Sequence, residues 1–121
     1  MNEAQHQQNV IKWTQQPDIR HKYPELKLLY HIPNERRCSQ VQGRLLKLQG
    51  VRSGVPDLHL PVARNGLHSL YIEMKAEKGR TSGNQDWWIT ELEKQGNKCV
   101  VCHGWEEAVR SLEEYLCGQM K

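Results

Sequence analysis

The chain has 121 residues, which suits one compact domain, residues 1–121, whose single core must supply any ligand site. With 37% hydrophobic and 26% charged residues it has the composition of a globular protein, and its formal charge of +3 is compatible with a polyanionic partner. Its apolar runs are too short for a membrane span, its first residues lack a secretory signal, and its four cysteines are expected to be reduced, so the sequence predicts a cytoplasmic protein.

The first half of the chain predicts two helices and one short strand. Residues 2–15 carry apolar side chains at helical spacing. Residues 26–32 favour a strand, which Pro33 ends, after a connector between two earlier prolines. Ser39 is typical of a helix N-cap. The helix that it begins carries one apolar stripe, formed by Val41, Leu45 and Leu48.

The second half predicts a hairpin, a helix, a strand and a last helix. Strands are predicted over residues 57–62, 69–75 and 98–103. The dipeptide Asn65-Gly66 is a strong hairpin turn between the first two strands. Helices are predicted between Ser82 and Gly96 and over residues 105–116. The order α, (β), α, β, β, α, β, α predicts an α/β fold, with a mixed central sheet flanked by helices.

Three charged residues lie within the two strands of the predicted hairpin. Glu73 and Lys75 are two positions apart, so their side chains project from one face of the sheet, with Cα atoms about 7 Å apart. Pairing about the turn brings Asp57, at the start of the partner strand, opposite the end that carries them. Pro56 restricts the backbone just before Asp57 and makes the approach of its side chain less variable.

This arrangement is suited to hydrolysis of a phosphodiester bond with a divalent cation. Two converging carboxylates repel each other unless a positive charge lies between them, and Mg²⁺ is a hard cation that prefers oxygen ligands. The carbonyl of Met74, between Glu73 and Lys75, is a further candidate oxygen ligand. The ammonium group of Lys75 can stabilise hydroxide or negative charge that develops on a phosphate.

The pattern Pro56-Asp57, a spacer and Glu73-Met74-Lys75 resembles the PD-(D/E)XK nuclease signature. Further residues at matching places narrow the resemblance: Gly50, Gly54, Gly79, Ser82 and Gln85, and earlier Glu3, Gln7 and residues 32–35. Over nearly its whole length the sequence resembles the stand-alone, virus-type VRR-NUC nucleases found in phages. The resemblance implies a restriction-endonuclease-like core and, for a phage-encoded protein, a location in the host cytoplasm.

The resemblance also implies an activity and a set of site residues. Members of the family are metal-dependent DNA endonucleases similar to archaeal Holliday-junction resolvases, and several act as homodimers on branched DNA. By resemblance Asp57 and Glu73 would bind Mg²⁺ or Mn²⁺, and Lys75 would be the catalytic lysine. Glu3 would be the additional acidic residue that reaches the metal, and Gln85 would be the motif glutamine near the active centre.

Two of these residues have alternative interpretations. Glu3 lies in the first turn of a predicted helix, where an acidic side chain stabilises the helix dipole without a metal. Gln85 is the third helical residue after Ser82, and Ser-x-x-Gln is typical of a capping box, in which the glutamine bonds back to the cap residue. The cap is the favoured role for Gln85 if only one role is real.

Basic residues around the hairpin are candidates for contacts with DNA phosphates, which would be independent of sequence and sensitive to salt. They are Arg52, Lys78, Arg80, Arg36 and Arg44. A solvated loop explains each of them equally well. No base-reading motif is present, so recognition of DNA shape is expected, and the runner-up function is a non-catalytic DNA-binding module.

The segment Cys99-Val-Val-Cys102-His103 has the spacing of a haem-attachment motif, and its cysteine pair that of a zinc or redox motif. In a strand, residues i and i+3 face opposite sides of the sheet, so the two thiols could not bind one metal. We therefore expect two small buried residues and neither zinc nor haem.

Overall fold

A four-stranded mixed sheet organises the part of the chain that the computed structural model describes, residues 1–34 and 39–118. Its strands are β1 (Tyr30–His31), β2 (Leu58–Leu60), β3 (Leu70–Lys75) and β4 (Lys98–His103). They lie in the order β1-β2-β3-β4. The pairs β1–β2 and β2–β3 are antiparallel, and β3–β4 is parallel.

Helices connect the strands and cover the sheet. They are α1 (Glu3–Thr14), α2 (Pro17–Lys22), α3 (Gln40–Leu48), α4 (Gly83–Lys94) and α5 (Trp105–Cys117), with a 3₁₀ helix over Pro24–Leu28. The predicted fold class, a mixed sheet flanked by helices, is confirmed. No helix in the described ranges combines the length and apolar character needed to cross a lipid bilayer.

The hydrophobic core lies between the sheet and the pair α1 and α5. On the sheet it is built from Leu58, Leu60, Ile72 and Met74, each at most 1% exposed. The helices contribute Val10, Ala108, Leu112, Tyr115 and Leu116. The faces of β2 and β3 that carry the apolar residues are therefore those that the period-two pattern predicts.

The hairpin between β2 and β3 sets the register on which the candidate site depends. Asn65 and Gly66 both have positive φ, +50° and +79°, as a type I′ turn requires. Leu58 pairs with Ile72 and Leu60 with Leu70, which places Asp57 opposite Glu73. The predicted turn and the predicted meeting of these two residues are both confirmed.

Two predicted strands are shorter than expected. The predicted strand over residues 26–32 is wrong for most of its length, because Pro24 at the first helical position starts the 3₁₀ helix and only β1 pairs with β2. The predicted strand over residues 57–62 narrows to β2, which ends before Pro61, a residue without an N–H for the ladder. The connector between the early prolines contains α2, with Pro17 at its start.

Two helices, α3 and α4, bury no apolar side chain. Helix α3 has no buried residue, and Val41, Leu45 and Leu48 on its apolar stripe are 58%, 52% and 84% exposed. In α4 the sole buried residue is polar, Gln85. Amphipathic spacing predicts that a helix has an apolar face, but it does not decide what covers that face.

Candidate active site

Asp57 is held at the end of the sheet by the main chain of the neighbouring strand. It directly precedes β2, and its Oδ2 accepts a hydrogen bond of 2.8 Å from the main-chain N–H of Met74. Its own carbonyl accepts hydrogen bonds from the N–H of Ile32 and, at 2.9 Å, from Nδ1 of His31. Hydrogen bonds from the neighbouring strands thus fix both the side chain and the main-chain carbonyl of Asp57.

Glu73 is a buried carboxylate beside Asp57, with only 2% of its surface exposed. Its Oε2 accepts a hydrogen bond of 3.1 Å from Nε2 of Gln85 and lies 3.4 Å from Nζ of Lys75. Its Oε1 is buried without a hydrogen-bond partner. Burial, followed by the negative charge of Asp57, raises the pKa of Glu73 to about 8, against the opposing effect of Lys75.

Lys75 is a buried ammonium group between two acidic residues, and the residue is 5% exposed. Its Nζ lies 3.4 Å from Oε2 of Glu73 and 3.6 Å from Oε1 of Glu3. Gly79 leaves room for it, since a Cβ atom there would lie 3.3 Å from two carbons of the Lys75 side chain. A lysine confined in this way has its terminal nitrogen at a fixed place.

Glu3 reaches this site from the first turn of α1. Asn2 caps that helix, so Glu3 lies where its charge also favours the helix dipole. Its carboxylate is nonetheless within ion-pair distance of Lys75. The dipole effect and the contact with the site therefore coexist.

Gln85 has both of the roles that its sequence context suggested. Its Oε1 accepts a hydrogen bond of 2.9 Å from the N–H of Ser82, and its own N–H donates to the Ser82 hydroxyl, which is a complete capping box. Its Nε2 donates to Glu73. One side chain thus caps α4 and binds the buried carboxylate.

Two pockets adjoin Asp57. One, of about 260 Å³, is lined by Asn34, Ser53, Gly54, Val55, Asp57, Ser82, Asn84 and Gln85. The other, of about 220 Å³, is lined by Glu3, Ala4, Gln7, His31, Asn34, Asp57 and Met74. Asp57 and Asn34 line both, so Asp57 lies where the two pockets meet.

The VRR-NUC domain model matches residues 1–106. The chain belongs to the VRR-NUC family. Among solved structures, a protein described as a VRR_NUC domain protein is similar to it at 26% identity and a TM-score of 0.80, over 97% of this chain and 89% of the other. No curated protein matches the chain significantly. VRR-NUC domains are nuclease domains, generally metal-dependent, and membership implies a nuclease-type function with DNA as substrate.

The donor set at the end of the VRR-NUC sheet fits a divalent cation. A buried carboxylate oxygen without a donor, as at Oε1 of Glu73, needs a positive partner when the group is ionised. Asp57 and Met74 adjoin it and line one common pocket. Within residues 1–34 and 39–118 no group of three or more His, Cys, Asp or Glu side chains is arranged to hold a metal. The side-chain donors at the site are thus the pair Asp57 and Glu73, while Glu3 pairs with Lys75.

The predicted DNA-contacting residues that the structure describes are exposed, three on loops and one on a helix. Arg52 precedes Ser53 and Gly54, which line one pocket, and donates to main-chain carbonyls. Lys78 and Arg80 lie in the loop between β3 and α4, and Arg44 lies on α3. Arg36 lies outside the described residues.

His31 and Gln7 contact the VRR-NUC site, although the sequence assigned no role to either. Nδ1 of His31 lies 2.9 Å from the carbonyl of Asp57 and 3.1 Å from Nε2 of Gln7. The histidine has no ligand spacing in the sequence, and the signal for it would have been the pairing of β1 with β2, which places His31 opposite Leu58.

Cys99 and Cys102 lie in β4, as predicted. Cys102 is buried, and its Sγ lies 3.6 Å from the hydroxyl of Ser111 in α5. Cys99 is half-buried and lies near Glu93 in α4, whose negative charge adds to the effect of burial on the pKa of its thiol. The two thiols thus face opposite sides of the sheet. Burial raises the pKa of Cys99 to about 12 and that of Cys102 to about 11, so neither is a reactive thiolate.

Proposed function

We propose that this VRR-NUC protein is a metal-dependent DNA endonuclease that hydrolyses phosphodiester bonds in branched DNA with Mg²⁺ or Mn²⁺. The observation that carries the proposal is the buried Lys75, which lies within 3.6 Å of two carboxylates beside Asp57. Burying an ammonium group among acids is costly for stability alone, so a site of this kind is a candidate for catalysis.

The residues of the chain would divide the work as follows. Asp57, Glu73 and the carbonyl of Met74 would hold the ion, which when bound supplies an activated water and a Lewis acid. Glu3, which pairs with Lys75, would be the additional acid that reaches the ion directly or through a water. The ammonium group of Lys75 would offset negative charge that develops on the phosphate oxygens during attack. Gln85 would keep the Glu73 carboxylate oriented through its hydrogen bond to Oε2.

The substrate strand would cross the end of the sheet, with the scissile phosphate at Asp57 and the neighbouring nucleotides toward the two pockets. Phosphates on either side would meet Arg52 and the loop that carries Lys78 and Arg80. Arg44 and Arg36, which precede them in the chain, are further candidates for phosphate contacts. Such contacts position DNA without reading its sequence. The side chain of His103 holds that loop through a hydrogen bond of 2.9 Å from Nε2 to the carbonyl of Gly79.

A homodimer would match a branched substrate. A two-fold symmetric enzyme can cut two symmetry-related strands of a four-way junction, which is the arrangement that the family resemblance implies. The oligomeric state is measured by sedimentation with and without a four-way junction. A protein that remains monomeric while it cuts junctions would contradict the dimer and leave the nuclease proposal intact.

The test of the activity is a cleavage panel of linear, flapped, splayed and four-way DNA, each with Mg²⁺, Mn²⁺ or EDTA. We expect cleavage with either ion, none with EDTA, and a preference for branched forms. Lys75→Ala should abolish cleavage while DNA binding and the circular dichroism spectrum remain. If the wild-type protein binds DNA but cleaves none under any of these conditions, the proposed endonuclease activity is contradicted.

A further inference from the structure

Three ring side chains form a cluster on the face of the sheet that carries Asp57 and Glu73. They are Tyr30 on β1, His59 on β2 and Tyr71 on β3, which we call the ring cluster. His59 is paired with both tyrosines in the strand register. It stacks on Tyr71 at a centroid distance of 4.1 Å and meets Tyr30 edge-on at 5.3 Å. His59 lies two residues after Asp57, about 7 Å along the same face.

Hydrogen bonds fix the orientation of the ring cluster from the interior outward. Nδ2 of Asn97 donates to the carbonyl of Leu92, so its Oδ1 is the acceptor for the Ser69 hydroxyl at 2.7 Å. The Ser69 oxygen is therefore the acceptor for Nε2–H of His59 at 3.0 Å.

The same order of donors determines the direction of the hydrogen bond between His59 and Tyr30. Because Nε2 of His59 carries the proton, its Nδ1 is an acceptor, and the hydroxyl of Tyr30 donates to it at 2.7 Å. The chain of bonds thus ends at Tyr30, whose hydroxyl is held in one direction.

Tyr30 is nonetheless a surface residue. It is 48% exposed and lies on a two-residue strand at the edge of the sheet. Among the residues that the structure describes, no aromatic ring stacks in parallel on it, since its contact with His59 is T-shaped, with the ring planes at 79°. A large ring that is fixed in orientation yet open to solvent has already lost the side-chain freedom that a stacking ligand would otherwise remove.

We propose that the Tyr30 ring is a stacking site for an unpaired nucleobase of DNA bound across the candidate active site. The proposal rests on the proposed function and adds the substrate feature that the site recognises. Aromatic rings bind bases through their faces without regard to base identity, and each such contact changes affinity roughly 5- to 150-fold.

The position of Tyr30 makes the contact selective for DNA structure. A base inside a duplex is stacked on both sides, and reaching a protein ring requires it to leave the stack at a cost of a few kcal/mol. At a branch point or in a single strand that cost is smaller. His59 lies about 7 Å from Asp57 along its strand, and Tyr30 is paired with His59 on the neighbouring strand, so the stacked base would lie near the cut phosphate.

The experiment is a double-mutant cycle between the protein and the DNA. Binding is measured with Ca²⁺ in place of Mg²⁺, by fluorescence anisotropy, on splayed-arm DNA in which single nucleotides near the cut are made abasic in turn. For wild-type protein we expect one abasic position to weaken binding at least 5-fold. Tyr30→Ala should weaken binding to intact DNA by a similar factor, with no further loss at that position. Tyr30→Phe keeps the ring and should keep the dependence on the base.

Several results would overturn the proposal. One is equal sensitivity of wild-type and Tyr30→Ala proteins to every abasic position. Another is a change in sedimentation of Tyr30→Ala with unchanged DNA binding, which would assign the ring to a contact between two copies of the chain. If Tyr30→Ala does not fold, 2-aminopurine at the same positions in DNA bound to wild-type protein must show quenching by stacking at one of them, and its absence also overturns the proposal. Wild-type protein that neither binds nor cuts any DNA would instead reject the proposed function.

Discussion

Gln85 and Glu73 are joined by a hydrogen bond of 3.1 Å from Nε2 to Oε2, although one is at the start of α4 and the other inside β3. The opposite end of the Gln85 amide accepts the N–H of Ser82, the cap of α4. The start of the helix and the buried acid of the site are therefore positioned by one amide group.

Substitutions at these residues should separate the cap from the site. Ser82→Ala removes the hydroxyl that accepts the N–H of Gln85 and should lower the free energy of unfolding by about 1 kcal/mol, with cleavage unchanged. Gln85→Ala should cause a similar loss of stability and also reduce kcat about 10-fold or more, since Glu73 loses its donor. Chemical unfolding and single-turnover cleavage measure the two effects, and equal activity of both variants would show that the bond to Glu73 is not used.

Lys75 should be indispensable for cleavage but not for binding of DNA. Lys75→Ala removes the ammonium group within 3.6 Å of both Glu73 and Glu3, and we expect the cleavage rate to fall at least about 100-fold. Lys78→Ala, in the exposed loop three residues on, is the matched control, and it should weaken binding modestly and reduce its salt dependence. A cleavage defect of similar size in both variants would count against the special role of Lys75.

The stability of the metal-free protein should depend on pH through Glu73. Its pKa rises from 4.5 to about 8 on folding, chiefly because of burial and then the Asp57 charge, so between these values the folded state binds more protons than the unfolded state. The contribution of Glu73 to stability is therefore retained below pH 4.5 and lost as pH rises to 8. Glu73→Gln mimics the protonated form and lacks this loss.

We therefore expect the difference in unfolding free energy, Glu73→Gln minus wild type, to increase by about 2–4 kcal/mol between pH 5 and pH 8 in EDTA. Urea unfolding at several pH values measures it. Adding Mn²⁺ at pH 8 should stabilise the wild type more than the variant. Parallel pH curves for the two proteins would show that Glu73 is not the group responsible.

Gly54 lines one of the two pockets, and we expect that a side chain at this position would not be tolerated. Its φ is +91°, and a Cβ atom there would lie 2.9 Å from the main-chain carbonyl carbon of Asn84 in α4. Gly50 has a similar φ of +103° but no atom within 4 Å of the same position. Gly54→Ala should lower the free energy of unfolding by roughly 1–3 kcal/mol more than Gly50→Ala, because both incur backbone strain but only the first clashes. Thermal unfolding of the pair measures the difference, and equal losses would contradict the clash.

The sequence by itself determined the part of the site that depends on local geometry. A type I′ turn at Asn65-Gly66 fixes the register of a hairpin, and the two-residue period of a strand fixes which side chains share a face. These two rules are enough to place Asp57 opposite Glu73, with Lys75 on the same face, and the structure confirms both placements. The two-residue period also places Cys99 and Cys102 on opposite faces of the sheet.

The tertiary structure alone decided how these residues are buried and which partners they have. Glu73 and Lys75 contact side chains from the starts of α4 and α1, so their exposure depends on residues distant in the chain. The double role of Gln85 and the reach of Glu3 to Lys75 depend on those same contacts. Strand length and helix burial, as in β1 and α3, follow from what lies alongside each segment, and periodicity within a segment carries no information about its neighbours.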